Sequence, residues 1–593
     1  MKKFTMLSSV LASALMLTIA SCSSSDDITG GNGGENAEGS TSYIAVNLKT
    51  VGNAPTGNAR QTRYTDSQNG AYEDGVGVEN KIKSVRFYFF NADGTPYILN
   101  NVNGKGNYID REVNVNQGDQ SQTVEGITET VLVLNGENHV APASMLTVIN
   151  PDINPGLLKD GAPLRWSVMR KELIGTTFCD DTHFMMSNST YEKAGNDLCT
   201  TQLTGKTYAS SGDAQSHPVN VYVERVNAKV NANVVGTNFE KETADVIFDG
   251  VSMKDNQKTQ VGVLSLAKED GTTDQKNIFA YIVGWGLASE NGKAELFKQI
   301  DTQKFTDEIL GISPWSSAYY HRSFWSLSVP FGGTGADKNE PVNYNFSEYT
   351  HKLGDAVYTL PNTPTEVIDD AHIYDNTLTK FVVAARLAYK DADNSLKPAE
   401  ICEYKGQEFL GIDNLKTVFL NEISRYYKKV PVAADEPDKY VNLDPSDITF
   451  TTDAPSGTQA KDYEVFATLA KPDITLYEQK GGVWNEVTDK SVVYNMLQGT
   501  PAEVRKGGMA YYYTTIKHLG EKGKLGEYGI VRNHSYQISL NSIKGFGTPV
   551  YNPKKIIVPA IPSNDKTYLA AKINVLSWRV VPSQVDLDKT EKK

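Results

Sequence analysis

Three groups of residues have the types and spacing to support chemistry. Arg60 and Arg63 stand in "GNAPTGNARQTRYTD", a Gly-, Pro-, Asn- and Thr-rich stretch that reads as a loop after a strand-like run. Exposed loops are where chains are nicked, so the Arg60–Gln61 bond, and alternatively the bond after Arg63, are candidate proteolytic processing sites. Cys179, Asp180, Asp181 and His183, in "CDDTH", offer thiolate, carboxylate and imidazole. No second cluster completes a four-ligand set, and no metal is expected. The third group is the histidines His139, His183, His217, His321, His351, His372, His518 and His534, whose scatter contains no HExxH spacing. There is no G-x-S-x-G elbow, and "FGGTGADKNE" lacks the Gly-Lys-Ser/Thr ending of a phosphate loop. Carboxylate pairs such as Asp369 with Asp370 arise by chance in so acidic a chain. Neither catalysis nor a cofactor is expected.

The elements around the arginines give them a context. "MKK" precedes the apolar run "FTMLSSVLASALMLTIA", the pattern of a secretory signal over residues 1–21. "IASC" resembles a bacterial lipobox, which implies that Cys22 becomes the lipidated, palmitate-bearing first residue of an exported precursor. No other run approaches the apolar length of a spanning helix, so membrane contact is expected only through that lipid. "SSSDDITGGNGGENAEGS" is too polar to pack and reads as a tether. Next comes "SYIAVNLKT", in which Ile44, Val46 and Leu48 alternate with Ala45, Asn47 and Lys49, the pattern of a half-buried strand. Residues 22–60 are therefore a tether plus one short strand, ending at the arginine loop.

With 593 residues, 39% of them hydrophobic, the chain can build a large core. Its 58 Lys+Arg against 71 Asp+Glu give a net charge of −13, which argues against a nucleic-acid partner. Removing residues 1–60 leaves that charge unchanged, because Lys2, Lys3, Lys49 and Arg60 balance Asp26, Asp27, Glu35 and Glu38. With Cys22 assigned to lipid, Cys179, Cys199 and Cys402 remain. That is no disulfide scaffold, and whether Cys179 and Cys199 pair is left open. Strand signals dominate: 31 Tyr, 20 Phe and 48 Gly fit aromatic strands divided by turns. "KIKSVRFYFFNADGTPY" opens a hairpin, and "VNVYVERVNAKVNANVV", "KFVVAARLAYKD" and "GMAYYYTTIKHLG" are strand runs. A few segments, such as "NPGLLKDGAPLRWSVMRKEL", interrupt them with helical pattern. The fold class is mainly β with helical insertions, in two domains, 61–240 and 241–593, with 551–593 as a separate tail.

Several of these runs carry a family resemblance. "VYVERVNAKVNANV", "KFVVAARLAYK", "MAYYYTTIKH", "GIVRNHSYQISLNSIKGFG" and "INVLSWRVVPSQVDL" resemble successive signatures of the Mfa-type (FimA/Mfa) shaft pilins of Bacteroidetes type V fimbriae. "RNHSYQISLNSIKG" is the most specific of them. The resemblance implies two tandem transthyretin-like β-sandwich domains. It implies a lipoprotein precursor at the outer membrane, cut after an arginine by an arginine-specific protease and polymerised with identical subunits into extracellular fimbriae. Accessory tip and anchor pilins, and host or bacterial surface ligands, are the further partners it implies. The small residue before Arg60 matches the family pattern, so the resemblance favours Arg60 over Arg63.

The physical logic of donor-strand exchange is legible in the residues. Cutting away a strand bearing Ile44, Val46 and Leu48 would leave an apolar slot with unpaired backbone edges, which another subunit's strand could fill. The candidate donor is the tail, where Ile556 and Val558 lie on one side of a first short strand. In a second strand Ile573 and Val575 take one face and Leu576, Trp578 and Val580 the other. The alternative is that the tail completes its own domain, which is compatible with donation if it swings out on assembly. "DKTEKK" after "VDL" departs from the family's abrupt end. The main alternative is a surface glycan-binding lipoprotein, for which Trp315, Tyr319, Tyr320, Phe324 and Trp325 would supply a stacking platform. A tip or anchor pilin of the same family is the other alternative.

Overall fold

The computed structural model describes residues 41–50, 77–100, 106–112, 128–135, 141–154, 163–188, 199–248, 250–267, 271–300, 325–458, 460–559 and 568–577. The first unit contributes β1 (Thr41–Thr50), β2 (Ser84–Phe90), β3 (Tyr108–Glu112), β4 (Thr128–Asn135), β5 (Ser144–Ile149), β6 (Met186–Asn188) and β7 (Val219–Arg225). They form one sheet in the order β3-β2-β5-β6-β7-β1-β4. Alternation decides its faces: Val85, Phe87 and Phe89 enter one core, while Tyr88 and Phe90 enter a second, with Leu146 and Val148. Leu296 and Phe297, far along the chain, close that second face.

Only Val226 and Asn227 separate β7 from β8 (Ala228–Val234), and β8 already belongs to another sheet. The crossing between cores therefore lies at these residues, not at the polar bridge near residue 240. Period-2 patterning cannot reveal a sheet change inside one continuous β run. β9 (Gln257–Ala267), β10 (Thr273–Ala288), β11 (Ala356–Thr359) and β12 (Lys380–Lys390) come after it. Next is an inserted unit with β13 (Ile401–Tyr404), β14 (Tyr426–Val430), β15 (Lys439–Asn442), β16 (Glu464–Leu469), β17 (Leu476–Lys480), β18 (Val483–Glu486) and β19 (Ala502–Val504). The chain returns through β20 (Met509–Thr515), β21 (His534–Lys544) and β22 (Tyr568–Ser577).

The sheet β11-β8-β21-β22 packs on a larger sheet containing β9-β10-β12-β20. Between them lie Val230, Ala232, Trp285, Phe381, Val383, Tyr512, Tyr536 and Ile538. Val382, Ala384, Met509 and Tyr511 point to the opposite face, into a further core. "KFVVAARLAYK" reads as an almost unbroken apolar run because both its faces are covered. Gly284 marks a close approach: a Cβ there would stand 2.0 Å from the Tyr349 carbonyl oxygen. Gly284→Ala is expected to destabilise the fold by about 1–3 kcal/mol through overpacking, read as a lowered melting temperature.

The inserted unit was not anticipated. It has its own core of Leu415, Phe419, Phe450, Val465, Leu476, Val493 and Leu497, built by two helices, Ile412–Glu422 and Ser491–Gln498, on its strands. At its neck the buried Arg505 donates through Nη2 to the Gly547 carbonyl at 2.8 Å, and Glu400 accepts from the backbone N–H of Ile412 at 3.0 Å. No helix among the described residues is long and apolar enough to cross a membrane.

Candidate functional site

β1 occupies an inner position of the first sheet, antiparallel to β4 and parallel to β7. Ile44 stands opposite Leu132 on β4, and Val46 opposite Thr130 on β4 and Val219 on β7. Both side chains are fully buried in the core with Phe87, Phe89, Leu134 and Val221. Ala45, expected on a solvent face, is only 1% exposed. The helix Ser211–Ser216 packs over that face, its first turn capped by Ser210 Oγ, which accepts from Asp213 N–H at 3.1 Å. Leu48 keeps its backbone register opposite Thr128 and Val221. Val46→Asp in the uncut chain is expected to cost several kcal/mol, since a buried charge there has no partner, and to expose the first unit to limited proteolysis.

The geometry gives β1 a particular consequence. Both of its edges are paired, so lifting it out would open a slot with unpaired backbone on β4 and on β7 and an apolar floor where Ile44 and Val46 lay. Arg60, Gln61 and Arg63 come after this strand in sequence but lie outside the described residues, as does Cys22.

The tail holds the opposite kind of position. Among the described residues β22 pairs with β21 alone and is the outermost strand of its sheet, with Ile573 opposite Ile538 and Val575 opposite Tyr536. Trp578 and Val580 lie outside the described residues. Leu576 keeps backbone register opposite Ser535. The segment before β22 is fixed to its own unit: Ile557 N–H donates to the Tyr344 carbonyl at 2.8 Å, and Lys506 N–H to the Val550 carbonyl at 3.1 Å. The sequence put Ile556 and Val558 on the informative side, yet Ile557 is the buried residue, while Ile556 is 47% exposed and Val558 half-buried. Isolated bridging at Ile556 to Asn345, in place of a continuous ladder, leaves the period-2 rule with nothing to act on.

Slot and tail seat are joined by a buried polar knot that the pattern of the sequence does not reveal. Glu224, at the end of β7, is bridged by Lys298 Nζ at 2.7 Å and by Arg532 Nε at 2.9 Å, all three nearly inaccessible. Arg532 also donates to Ser187 Oγ at 2.9 Å and to the Leu296 carbonyl at 3.2 Å. Asn533 takes φ 55, a left-handed backbone that Asn tolerates, and its N–H donates to the Asn227 carbonyl at 2.7 Å. Its Oδ1 accepts from Arg225 Nη1 at 3.2 Å. Glu79 adds a second pairing, with Lys229 Nζ at 2.9 Å and the Tyr358 hydroxyl at 2.6 Å. The "RN" of "RNHSYQISLNSIKG" is thus the contact between the unit that holds the tail and the unit that holds the slot.

Burial pushes the nearby Glu295 carboxyl up to about 7, against the attraction of Arg532. The folded chain therefore keeps a proton there that the unfolded chain has released, and stability falls as pH rises from about 4.5 to about 7. Glu295→Gln is expected to flatten that part of the denaturation-versus-pH profile.

His183 lies buried between Asp152 and Asp180, 3.1 Å from each. No group of three or more metal-ligating side chains occurs among the described residues. Cys179, Cys199 and Cys402 are free thiols, and Cys199 Sγ donates to the Lys298 carbonyl at 3.1 Å. Trp325 of the stacking platform in the alternative reading is fully buried beside His518, while Trp315, Tyr319, Tyr320 and Phe324 lie outside the described residues.

Residues 505–583 match the family model described as major fimbrial subunit protein type IV, fimbrillin, C-terminal. No curated protein matches the chain. Among solved structures, a proposed cell adhesion protein from Parabacteroides distasonis overlays with 10% identity and a TM-score of 0.35, covering 92% of this chain and 99% of its own. One from Bacteroides eggerthii shares 10% identity at a TM-score of 0.30, covering 92% and 98%. The tip fimbrial protein Mfa3 from Porphyromonas gingivalis, truncated at its C-terminus, shares 9% identity at a TM-score of 0.27, covering 91% and 100%.

Proposed function

We propose that this chain, a fimbrillin of the Mfa type by its C-terminal signature, is a shaft subunit that polymerises when a protease removes β1 and the β22 tail of another subunit takes its place. The observation that carries the reading is the contrast between the two strands: among the described residues β1 is paired on both edges, β22 on one. A tail that moved from its seat into the slot would gain a second ladder, each net backbone hydrogen bond being worth about 0.5–1.5 kcal/mol. It would also restore the burial of two apolar side chains at about 1.5–3 kcal/mol each. Ile573-Asn574-Val575 repeats the spacing of Ile44-Ala45-Val46.

On this reading the two units are tandem transthyretin-like sandwiches, meeting at Val226–Asn227 and bearing the inserted unit as an elaboration of the second. Cys22 anchors the precursor by lipid at the outer membrane, and cleavage at Arg60–Gln61, or after Arg63, frees the mature subunit into the fibre. The clamp at Val550 and Ile557 supports a donor made of β22 and the residues C-terminal to it, with Ile556 and Val558 staying on their own subunit. Tip and anchor pilins would cap the two ends, and a tip would have no onward subunit to complete. Donation from one subunit to the next is head-to-tail, so it builds an open filament.

The test is an Ile573→Asp, Val575→Asp variant, cut with a trypsin-like protease. Because both positions stand opposite the core residues Ile538 and Tyr536, the uncut monomer is expected to stay folded, by circular dichroism, with a lowered melting temperature; cut, it should be processed at the same arginine yet give no oligomers on a gel. Oligomers at the unaltered level would overturn the donor assignment.

A further inference from the structure

β1 is not held evenly along its length. Among the described residues, its last two, Lys49 and Thr50, pair with β7 alone, opposite Tyr222 and Val223, because the register with β4 ends at Leu48. Val46, Asn47 and Leu48 are paired on both edges. At the other end β7 begins only opposite Val46, which leaves Tyr43 beyond its reach. A different segment closes that edge. Tyr43 N–H donates to the Tyr208 carbonyl at 2.8 Å and Tyr208 N–H to the Tyr43 carbonyl at 2.9 Å, while Val133 of β4 stands across the opposite edge.

Tyr208 belongs to a strap, residues 203–217, that leaves the margin of β5 and runs into β7. Thr201 and Gln202 pair with β5, and Leu203 is buried in the same core as Ile44 and Val46. Lys206 N–H donates to the Leu203 carbonyl at 2.9 Å in a turn through Gly205, whose φ of 71 is left-handed. Beyond Tyr208 comes the helix Ser211–Ser216, which packs on β1 and has Ala214 as its buried residue. Two exposed side chains brace the strap: Ser210 caps the helix, and the His217 ring stacks on Tyr208 with centroids 5.4 Å apart and planes at 17°.

We propose that this strap is a latch that holds the Tyr43 end of β1 after the chain is cut, so that β1 is displaced from its Thr50 end toward Tyr43 and the Tyr43–Tyr208 pairing is the last to break. The inference rests on the proposed loss of β1 and adds to it a direction and a rate-setting step. Cleavage after Arg60 or Arg63 severs the chain on the Thr50 side, where each of the last two residues has a single partner strand, and a segment opens first where it is least paired. The Tyr43 end keeps two partners and the helix above Ala45. An incoming strand therefore takes over the β7 edge at Thr50 first and advances along the slot. Because the strap holds Tyr43 through backbone groups, it can close in the same way over a replacement strand of different sequence.

The test uses the full-length chain, cut with an arginine-specific protease and kept too dilute to form oligomers. Amide exchange read by mass spectrometry should be fastest at Leu48–Thr50 and slowest at Tyr43–Val46, with Tyr208 protected alongside Tyr43. The peptide that carries β1 should leave about fivefold faster from the Ser210→Ala, His217→Ala double variant, the scale of one lost helix cap, while both chains are cut at the same rate. Both substituted residues are exposed, so the fold itself is left intact. Equal release from the two chains, or exchange fastest at the Tyr43 end, would overturn the latch. Neither measurement needs polymer: accelerated release without a ladder at higher concentration would keep the latch and remove the donor assignment, and a ladder with equal release would do the reverse.

Discussion

Cutting the purified precursor with an arginine-specific protease is expected to convert monomer into a ladder of oligomers on a gel, and the Arg60→Ala, Arg63→Ala double variant is expected to give none. The reason lies in the position of β1. While the chain after it is intact, the strand is tethered to the slot and any competing strand must displace it. Ile44 and Val46 together hold it by about 3–6 kcal/mol of burial, before the two ladders are counted. Once the chain is cut after Arg60 or Arg63, β1 belongs to a separate peptide, and its loss becomes dissociation and not local fraying. A donor strand from another subunit can then compete on equal terms. N-terminal analysis of the polymer should find Gln61 if Arg60 is the site and Tyr64 if Arg63 is. Polymer beginning at Cys22, or a ladder from the double variant, would sink the mechanism.

The second large effect is expected at Glu224. Glu224→Ala would leave Lys298 and Arg532 buried without their shared carboxylate, a loss of about 3–5 kcal/mol for a broken buried pair. The measurement is the urea midpoint of the uncut chain. The transition should also split, because the knot is where Ser187 and Glu224 of the first unit meet Leu296, Lys298 and Arg532 of the second. Replacing all three charged groups with apolar residues of similar size is expected to recover much of the loss, since the cost comes from an uncompensated charge more than from a missing attraction. A midpoint unchanged by Glu224→Ala would show that water reaches the site.

Local pattern carried the strands. "SYIAVNLKT" is a strand because its apolar residues alternate, and Ile44 and Val46 go inward for the same reason. "KFVVAARLAYK" and "GMAYYYTTIKHLG" are β12 and β20, adjacent in one sheet. Pattern failed where the deciding neighbour is distant. Ala45 is buried by a helix from residues 211–216, and alternation alone cannot see that cover. Ile557, and not Ile556 or Val558, is inward because the Tyr344 carbonyl fixes its backbone. The inserted unit escaped notice because its strands are short and its helices amphipathic, which looks locally like any other part of the chain.

What the sequence determined by itself is therefore what short-range periodicity sets: a mainly β chain, and a short apolar strand ahead of two arginines. Tertiary structure alone decided that β1 lies inside its sheet while β22 lies at an edge, because strand order is settled by pairings between residues far apart in the chain. It likewise decided that Glu224, Lys298 and Arg532 meet. A charged side chain in a strand reads as solvent-facing until the fold brings its counter-charges from residues many tens of positions away.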